Sequence, residues 1–390
     1  MARLVAGIAT MSADPRITAV RGRRVWDSRG RPTVEVEVHC GTAVGRAIAP
    51  AGASTGSGEA VELRDGGTRL GGLDVAGAVA NVNTRIAATL AGADVRDQRA
   101  VDDSMTALDP SPSLGGIGAN AVVAASMAVA HAAAAVDGIP LWASLAGSRD
   151  STAGTDGVRT MPLPEIQIFG GGAHAGRRID IQDLMIVAPG ATSFAEALEW
   201  TAEVYLAAGA VMSDRDARSG VADEGGWWPA FATNEEAIEA LVAAIERAGF
   251  TPGEDVAVSL DIAASELWRD GRYRLGLEGR DLDGAQMIDL VIGWCDRYPI
   301  VSIEDPVDEH DVDGFRAITA AIGHRVQIVG DDLFVTDAQR VDTFDGAANA
   351  VLIKANQAGT LSRAADAVAA SRRTGRGPIV SARSGESEDV

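Results

Sequence analysis

The chain has one lysine, two cysteines and few aromatic residues, and each shortage excludes something. Cys40 and Cys295 stand far apart without metal-type spacing. That excludes a disulfide framework and fits a reducing compartment, read here as the cytoplasm. Aromatics are 4% of 390 residues while the hydrophobic fraction is 46%, so the cores are expected to be filled by Ala, Val, Leu and Ile. Cationic excess is also missing. A net charge of −21 repels phosphate backbones and anionic bilayers, which argues against nucleic acid or a membrane as partner. Any anionic substrate then needs Arg or a metal ion locally. The apolar stretch in residues 1–10 is too short and weak for a secretory core. The Ala/Val-rich run 121–136 is shorter than a membrane span and contains His131, so a buried helix is expected there.

The single lysine, Lys354, closes the apolar run Val351-Leu352-Ile353, although the chain holds 34 Lys plus Arg. Arginine cannot shed a proton near neutral pH, whereas lysine can be tuned by burial and by nearby cations. Lys354 is therefore a candidate general base, with a pKa expected to be lowered toward the working range.

Length suggests two domains. The opening reads as three strands, Ile17 to Asp27, Thr33 to Val38 and Ala43 to Ile48, in an antiparallel meander. Helical patterns follow near 74–92 and 119–147. The Ser/Gly/Thr/Asp-rich stretch 148–158 marks a boundary, giving domains 1–150 and 151–390. Beyond it, β runs alternate with helical ones, as around a parallel sheet or barrel. These runs are Glu165–Phe169, Asp183–Ala188, Val256–Asp261, Ile300–Glu304, Gln327–Asp331, Ala350–Lys354 and Pro378–Ser381. Asp261, Glu304, Asp331 and Lys354 each end one of them. Side chains at the C-terminal ends of barrel strands converge on one mouth. Three carboxylates there repel unless a cation lies between them, and hard oxygen ligands suit Mg²⁺. A lysine base beside Mg²⁺ is equipped to remove a proton next to a carboxylate, which points to enolate chemistry.

With these residues in place the chain resembles the enolase family over nearly its whole length. The resemblance is carried by Asp27-Ser28-Arg29-Gly30-Arg31-Pro32, Gly52-Ala53-Ser54-Thr55-Gly56, Glu62-Leu63-Arg64-Asp65-Gly66, His174-Ala175-Gly176, Asp223-Glu224-Gly225-Gly226, Ser302-Ile303-Glu304-Asp305-Pro306, Gly330-Asp331-Asp332-Leu333 and Arg383-Ser384-Gly385-Glu386. It implies an α/β fold, an N-terminal α+β capping domain on a C-terminal (β/α) barrel. It implies Lys354 as the C2 base, Glu224 with Asp183 as acids on the leaving-group side, and Asp261, Glu304 and Asp331 around a first Mg²⁺. Ser54 would ligate a second Mg²⁺ when its loop closes. His174, Gln182, Arg383 and Ser384 would hold a small anionic phosphorus-containing substrate, and a homodimer is implied.

The pattern departs at the site. Ala382 replaces the family's His before Arg-Ser-Gly-Glu, and Asp183 is one methylene shorter than the family's Glu. Gly170-Gly171-Gly172 stands for Asn-Gly-Gly, and Ala51-Gly52-Ala53-Ser54 for Ser-Gly-Ala-Ser. The last barrel strand and the terminal helices have no counterpart in the sequence. The proton-abstraction half is kept and the leaving-group half altered, which points to a specialised relative such as a carboxyphosphonoenolpyruvate synthase of phosphonate antibiotic biosynthesis. Two alternatives stand beside it: an ordinary phosphopyruvate hydratase and a non-catalytic enolase-like binding protein.

Overall fold

A computed structural model describes residues 14–53, 55–147 and 161–387, so Ser54 and the expected boundary segment 148–158 lie outside the described residues. Strands β1 (Ala19–Trp26), β2 (Pro32–Cys40) and β3 (Ala43–Ile48) form the expected antiparallel meander. The β1–β2 turn is closed by Asp27, whose carboxylate accepts the N–H groups of Arg29 and Arg31, both at 2.9 Å. Val34, Val36 and Val38 of β2 are fully buried against the helix Ala119–Asp137. That contact demands a glycine in β3. A Cβ at Gly45 would stand 2.1 Å from the backbone of both Ala128 and Ala132.

The helix corrects one expectation. At 19 residues it is long and apolar enough to cross a membrane, so shortness does not argue against a span. Burial does, because 83% of its most apolar window lies inside the protein. The pattern over 119–147 breaks at Gly138 (φ 67°) before Pro140. The 74–92 pattern runs Ala76–Leu90 with one π turn.

The second domain holds β4 (Glu165–Gly170), β5 (Asp183–Val187), β6 (Arg218–Val221), β7 (Trp227–Pro229) and β8 (Ala257–Asp261). A small separate sheet is made by β9 (Trp268–Arg269), β10 (Arg272–Leu275) and β11 (Arg280–Leu282). Then follow β12 (Ile300–Glu304), β13 (Gln327–Gly330), β14 (Ala350–Ile353) and β15 (Gly377–Val380). The large sheet runs β15-β14-β13-β12-β8-β5-β4-β7-β6. Its strands from β8 to β15 are parallel, with β15 at one edge and β6 at the other, a barrel lacking closure. The hairpin β6–β7 and the strands β9–β11 escape a period-two reading because none exceeds four residues.

Topology delivers the mouth. Register pairs Glu304 with Asp261 and Asp261 with Asp183, so three carboxylates stand on adjacent strands. Strand β5 is antiparallel to both neighbours, so Asp183, its first residue, reaches the same end as the last residues of β8 and β12. Asp331 and Lys354 lie one residue beyond β13 and β14.

Candidate active site

Strand β14 is buried throughout and leads directly into Lys354, whose backbone N–H donates to Thr336 Oγ1 at 2.9 Å. Lys354 Nζ donates to Asp331 Oδ2 at 2.5 Å, and Gln357 Nε2 donates to Asp331 Oδ1 at 2.7 Å. Burial pulls the Lys354 ammonium down, but Asp331, with help from Glu304, outweighs it and holds the group well above its ordinary value. This reverses the expected lowering, which counted desolvation and left out the carboxylate next door. Burial likewise pushes Asp331 up, and Lys354 and Arg383 bring it below its ordinary value.

The other carboxyls go the opposite way. Burial first, then Asp331, pushes Asp261 up to about 7. Glu304 and Asp305 are raised well above their usual range by burial and by their acidic neighbours. Asp332, buried beside Asp331, is pushed up to about 8. Glu304, Asp305 and Asp331 each offer an oxygen within 4.8 Å of the others. Asp261 is not in that trio. It stands one strand away and accepts Gln182 Nε2 at 2.9 Å. A cluster of buried carboxyls driven toward protonation by one another is a donor set that a hard divalent cation relieves. These residues fit such an ion. Asp305, missed by strand-end reasoning, sits directly after Glu304 with φ 40° and accepts the N–H groups of Asp331 and Asp332 at 3.1 and 2.8 Å.

Opposed to this group is a second set. His174 Nε2 lies 3.8 Å from Asp183 Oδ2 and 3.6 Å from Glu224 Oε1. Burial lowers His174, which favours the neutral ring. Burial, and then Glu224 and Asp261, raise Asp183 well above the usual carboxylate range. Ser384 Oγ donates to Glu224 Oε1 at 3.1 Å and lies 3.5 Å from His174 Nδ1. Gln167 was not foreseen, yet its amide touches both acids. Trp227, next to Gly226, stacks on Tyr205 with ring centroids 4.8 Å apart.

Arg383 is buried, its Nη1 donating to Glu59 Oε2 and Asn356 Oδ1, each at 3.1 Å. Glu59 also accepts Gly56 N–H at 3.0 Å and Gln357 Nε2 at 3.2 Å, so it joins the 52–58 loop to the barrel. Reciprocal backbone bonds between Ala51 and Gly385 tie the capping domain to the post-β15 segment, and Arg29 holds the Ala51 and Gly52 carbonyls from within the capping domain. Lys354, Glu304, Asp261, His174, Gln182, Asp183, Glu224, Arg383 and Ser384 line one cavity of about 80 Å³, together with Ala53 and Ala382. The described sequence-expected residues therefore converge, Asp331 through its bond to Lys354.

Glu309 pins the loop from outside. Ser57 donates its N–H at 3.1 Å and its hydroxyl at 3.0 Å to Glu309 Oε2. Gly56 and Gly58 let the loop lie close, since a Cβ there would meet Asp332 Oδ1 at 2.8 Å and Arg340 Nη2 at 2.4 Å. Hydrogen bonds to a charged acceptor contribute about 1.5–3 kcal/mol each. Glu309→Ala is expected to raise the rate of limited proteolysis within residues 51–58 roughly tenfold or more, with global melting little changed. An unchanged cleavage rate would remove Glu309 as the latch.

A capping α+β domain over a barrel mouth with buried carboxylates, one lysine and a glycine-rich loop defines the enolase type of protein. The family model described as "Enolase, C-terminal TIM barrel domain" matches residues 158–390. The one described as "Enolase, N-terminal domain" matches residues 17–145. The chain belongs to the enolase family.

Proposed function

We propose that the protein removes the C2 proton of a 2-phosphoglycerate-like substrate, with Lys354 as base and the His174–Asp183–Glu224 group acting on the leaving-group side. The observation that carries this is a single cavity lined by Lys354 and by those three residues. The C2–H electrons pass into the carboxylate as an enolate, which then forms the C2–C3 double bond as the C3–oxygen bond breaks, and the departing oxygen takes a proton from Glu224 or Asp183. The raised Asp183 is shifted in the direction that suits a proton donor. Glu304, Asp305, Asp331 and Asp261 would hold Mg²⁺, which supplies charge compensation for the substrate's carboxylate as it becomes an enolate. A second ion, with Ser54 as ligand, belongs to the same proposal. Arg383 and Ser384 would take the phosphorus group, Arg383 by exchanging one of its present acceptors.

The specialised synthase reading rests on Ala382. This small residue lines the cavity and is exposed, leaving room on the Arg383 side for a larger phosphorus-containing group such as phosphonoformate. The ordinary hydratase reading is favoured by one observation, the intact contact of His174, Asp183 and Glu224.

Proton NMR of 2-phosphoglycerate in D₂O with Mg²⁺, with and without phosphonoformate, tests the proposal. Deuterium should enter C2 in a Lys354-dependent manner. Phosphonoformate taking the place of the substrate's phosphate, with one inorganic phosphate released per adduct, supports the synthase, and phosphoenolpyruvate accumulating alone supports the hydratase. No exchange under any condition would leave only a binding protein.

A further inference from the structure

We propose that Gln167 is a positioning residue for the leaving-group side, a single carboxamide that holds Asp183 and Glu224 in one fixed relation. This deepens the proposed reaction and rests on it. Gln167 is buried on β4, where the pairing with β5 shifts register between Gln167 and Phe169. Such bulges re-aim a side chain, and this one lies beside the cavity. Gly226 N–H donates to Gln167 Oε1 at 2.9 Å, which fixes the amide's orientation. Its NH₂ therefore faces the acids, donating to Asp183 Oδ1 and, at 3.3 Å, to Glu224 Oε2.

The surrounding backbone is shaped to this amide. A Cβ at Gly226 would stand 2.4 Å from Gln167 Oε1, and one at Gly170 would stand 3.1 Å away. Both glycines lie in loops or strand ends that carry site residues, Gly170 as the last residue of β4, paired with Asp183, and Gly226 two residues after Glu224. An amide has two donor hydrogens and no charge, so it can satisfy one oxygen on each acid without adding to their repulsion. Lacking it, the buried Asp183 and its more exposed neighbour Glu224 either separate or share one proton between themselves. In either case the leaving oxygen would meet a misplaced acid. Lys354, on the other side of the chemistry, would be untouched.

The test separates the two halves of the reaction. In Gln167→Leu, Lys354-dependent deuterium exchange at C2 should stay within about fivefold of the parent. Departure of the leaving group, read as phosphoenolpyruvate or adduct formation, should fall about 10²–10³-fold, the usual loss for a preorganised donor. Gln167→Asn keeps the amide but cannot span both acids, and should show the same split with a smaller loss. It decides the matter if the leucine variant does not fold by near-UV circular dichroism. Exchange and departure falling together, or neither changing, overturns the role. Absence of C2 exchange in the unmodified protein instead overturns the proposed reaction, so the two failures are told apart.

Discussion

Lys354→Arg is expected to give a folded protein with essentially no C2 proton exchange. The substitution keeps a cation beside Asp331, which now bonds Lys354 Nζ at 2.5 Å, but a guanidinium does not shed its proton at working pH. A positioned general base contributes about 10²–10⁴-fold, so exchange should drop by at least 10². Lys354→Met should lose exchange equally and lose stability as well. It strands Asp331 among Asp261, Glu304 and Asp332 without its ammonium, and removing one partner of a buried pair costs about 3–5 kcal/mol. Mg²⁺ should recover much of that loss, since it replaces the missing positive charge. Comparing the two variants by deuterium exchange and thermal melting separates base from structural cation. If Lys354→Arg retains a tenth of the parent's exchange, some other residue takes the proton. The present bond to Asp331 favours the protonated amine. A carboxylate shared with a divalent cation holds an ammonium less firmly, so exchange should also cease when EDTA removes the metal.

Much of this site could be read from strand ends, and what could not follows from tertiary geometry. Glu304 and Asp261 close parallel strands, and their register places them side by side, as the alternation of β and helical runs foretold. Asp183 opens its strand, and only the antiparallel direction of β5 brings it to the mouth, so spacing alone had no access to it. Asp305 was hidden by standing next to Glu304: its contribution depends on a positive φ that turns it toward Asp331. Gln167 and Glu59 carry no charge pattern or motif that marks them. They matter because a register shift and a loop contact bring them to Asp183, Glu224 and Arg383. The Lys354 pKa was misjudged for a related reason. Its burial was legible in Val351-Leu352-Ile353, whereas the acid that outweighs burial arrives from the neighbouring strand.

Metal-free protein is expected to lose stability as pH rises from about 4 to about 8, and saturating Mg²⁺ to restore it by an amount that grows across that interval. The sign follows from the direction of each shift. Asp261 at about 7, Asp332 at about 8, and the raised Glu304 and Asp305 bind protons more tightly folded than unfolded. Their contribution is fully present below the ordinary carboxylate value and is lost as pH passes through the raised ones. Asp331, lowered, works the other way, but loses its contribution only in stronger acid, and Lys354, raised, only well above this interval. One pKa unit corresponds to about 1.4 kcal/mol, and acids sharing the same repulsion do not add, so the combined fall should be on the order of a few kcal/mol. A divalent cation prefers the ionised carboxylates, so its affinity climbs with pH and it releases protons on binding. Thermal melting from pH 4.5 to 8.5 in EDTA and in Mg²⁺ measures both effects. A gap between the two curves that is flat or narrows with pH would place the metal elsewhere. Asp261→Asn sharpens the test because its two effects have opposite signs. It removes one like charge, so the metal-free protein should melt higher at pH 8, while the gain from Mg²⁺ should shrink. A simple packing defect would lower both.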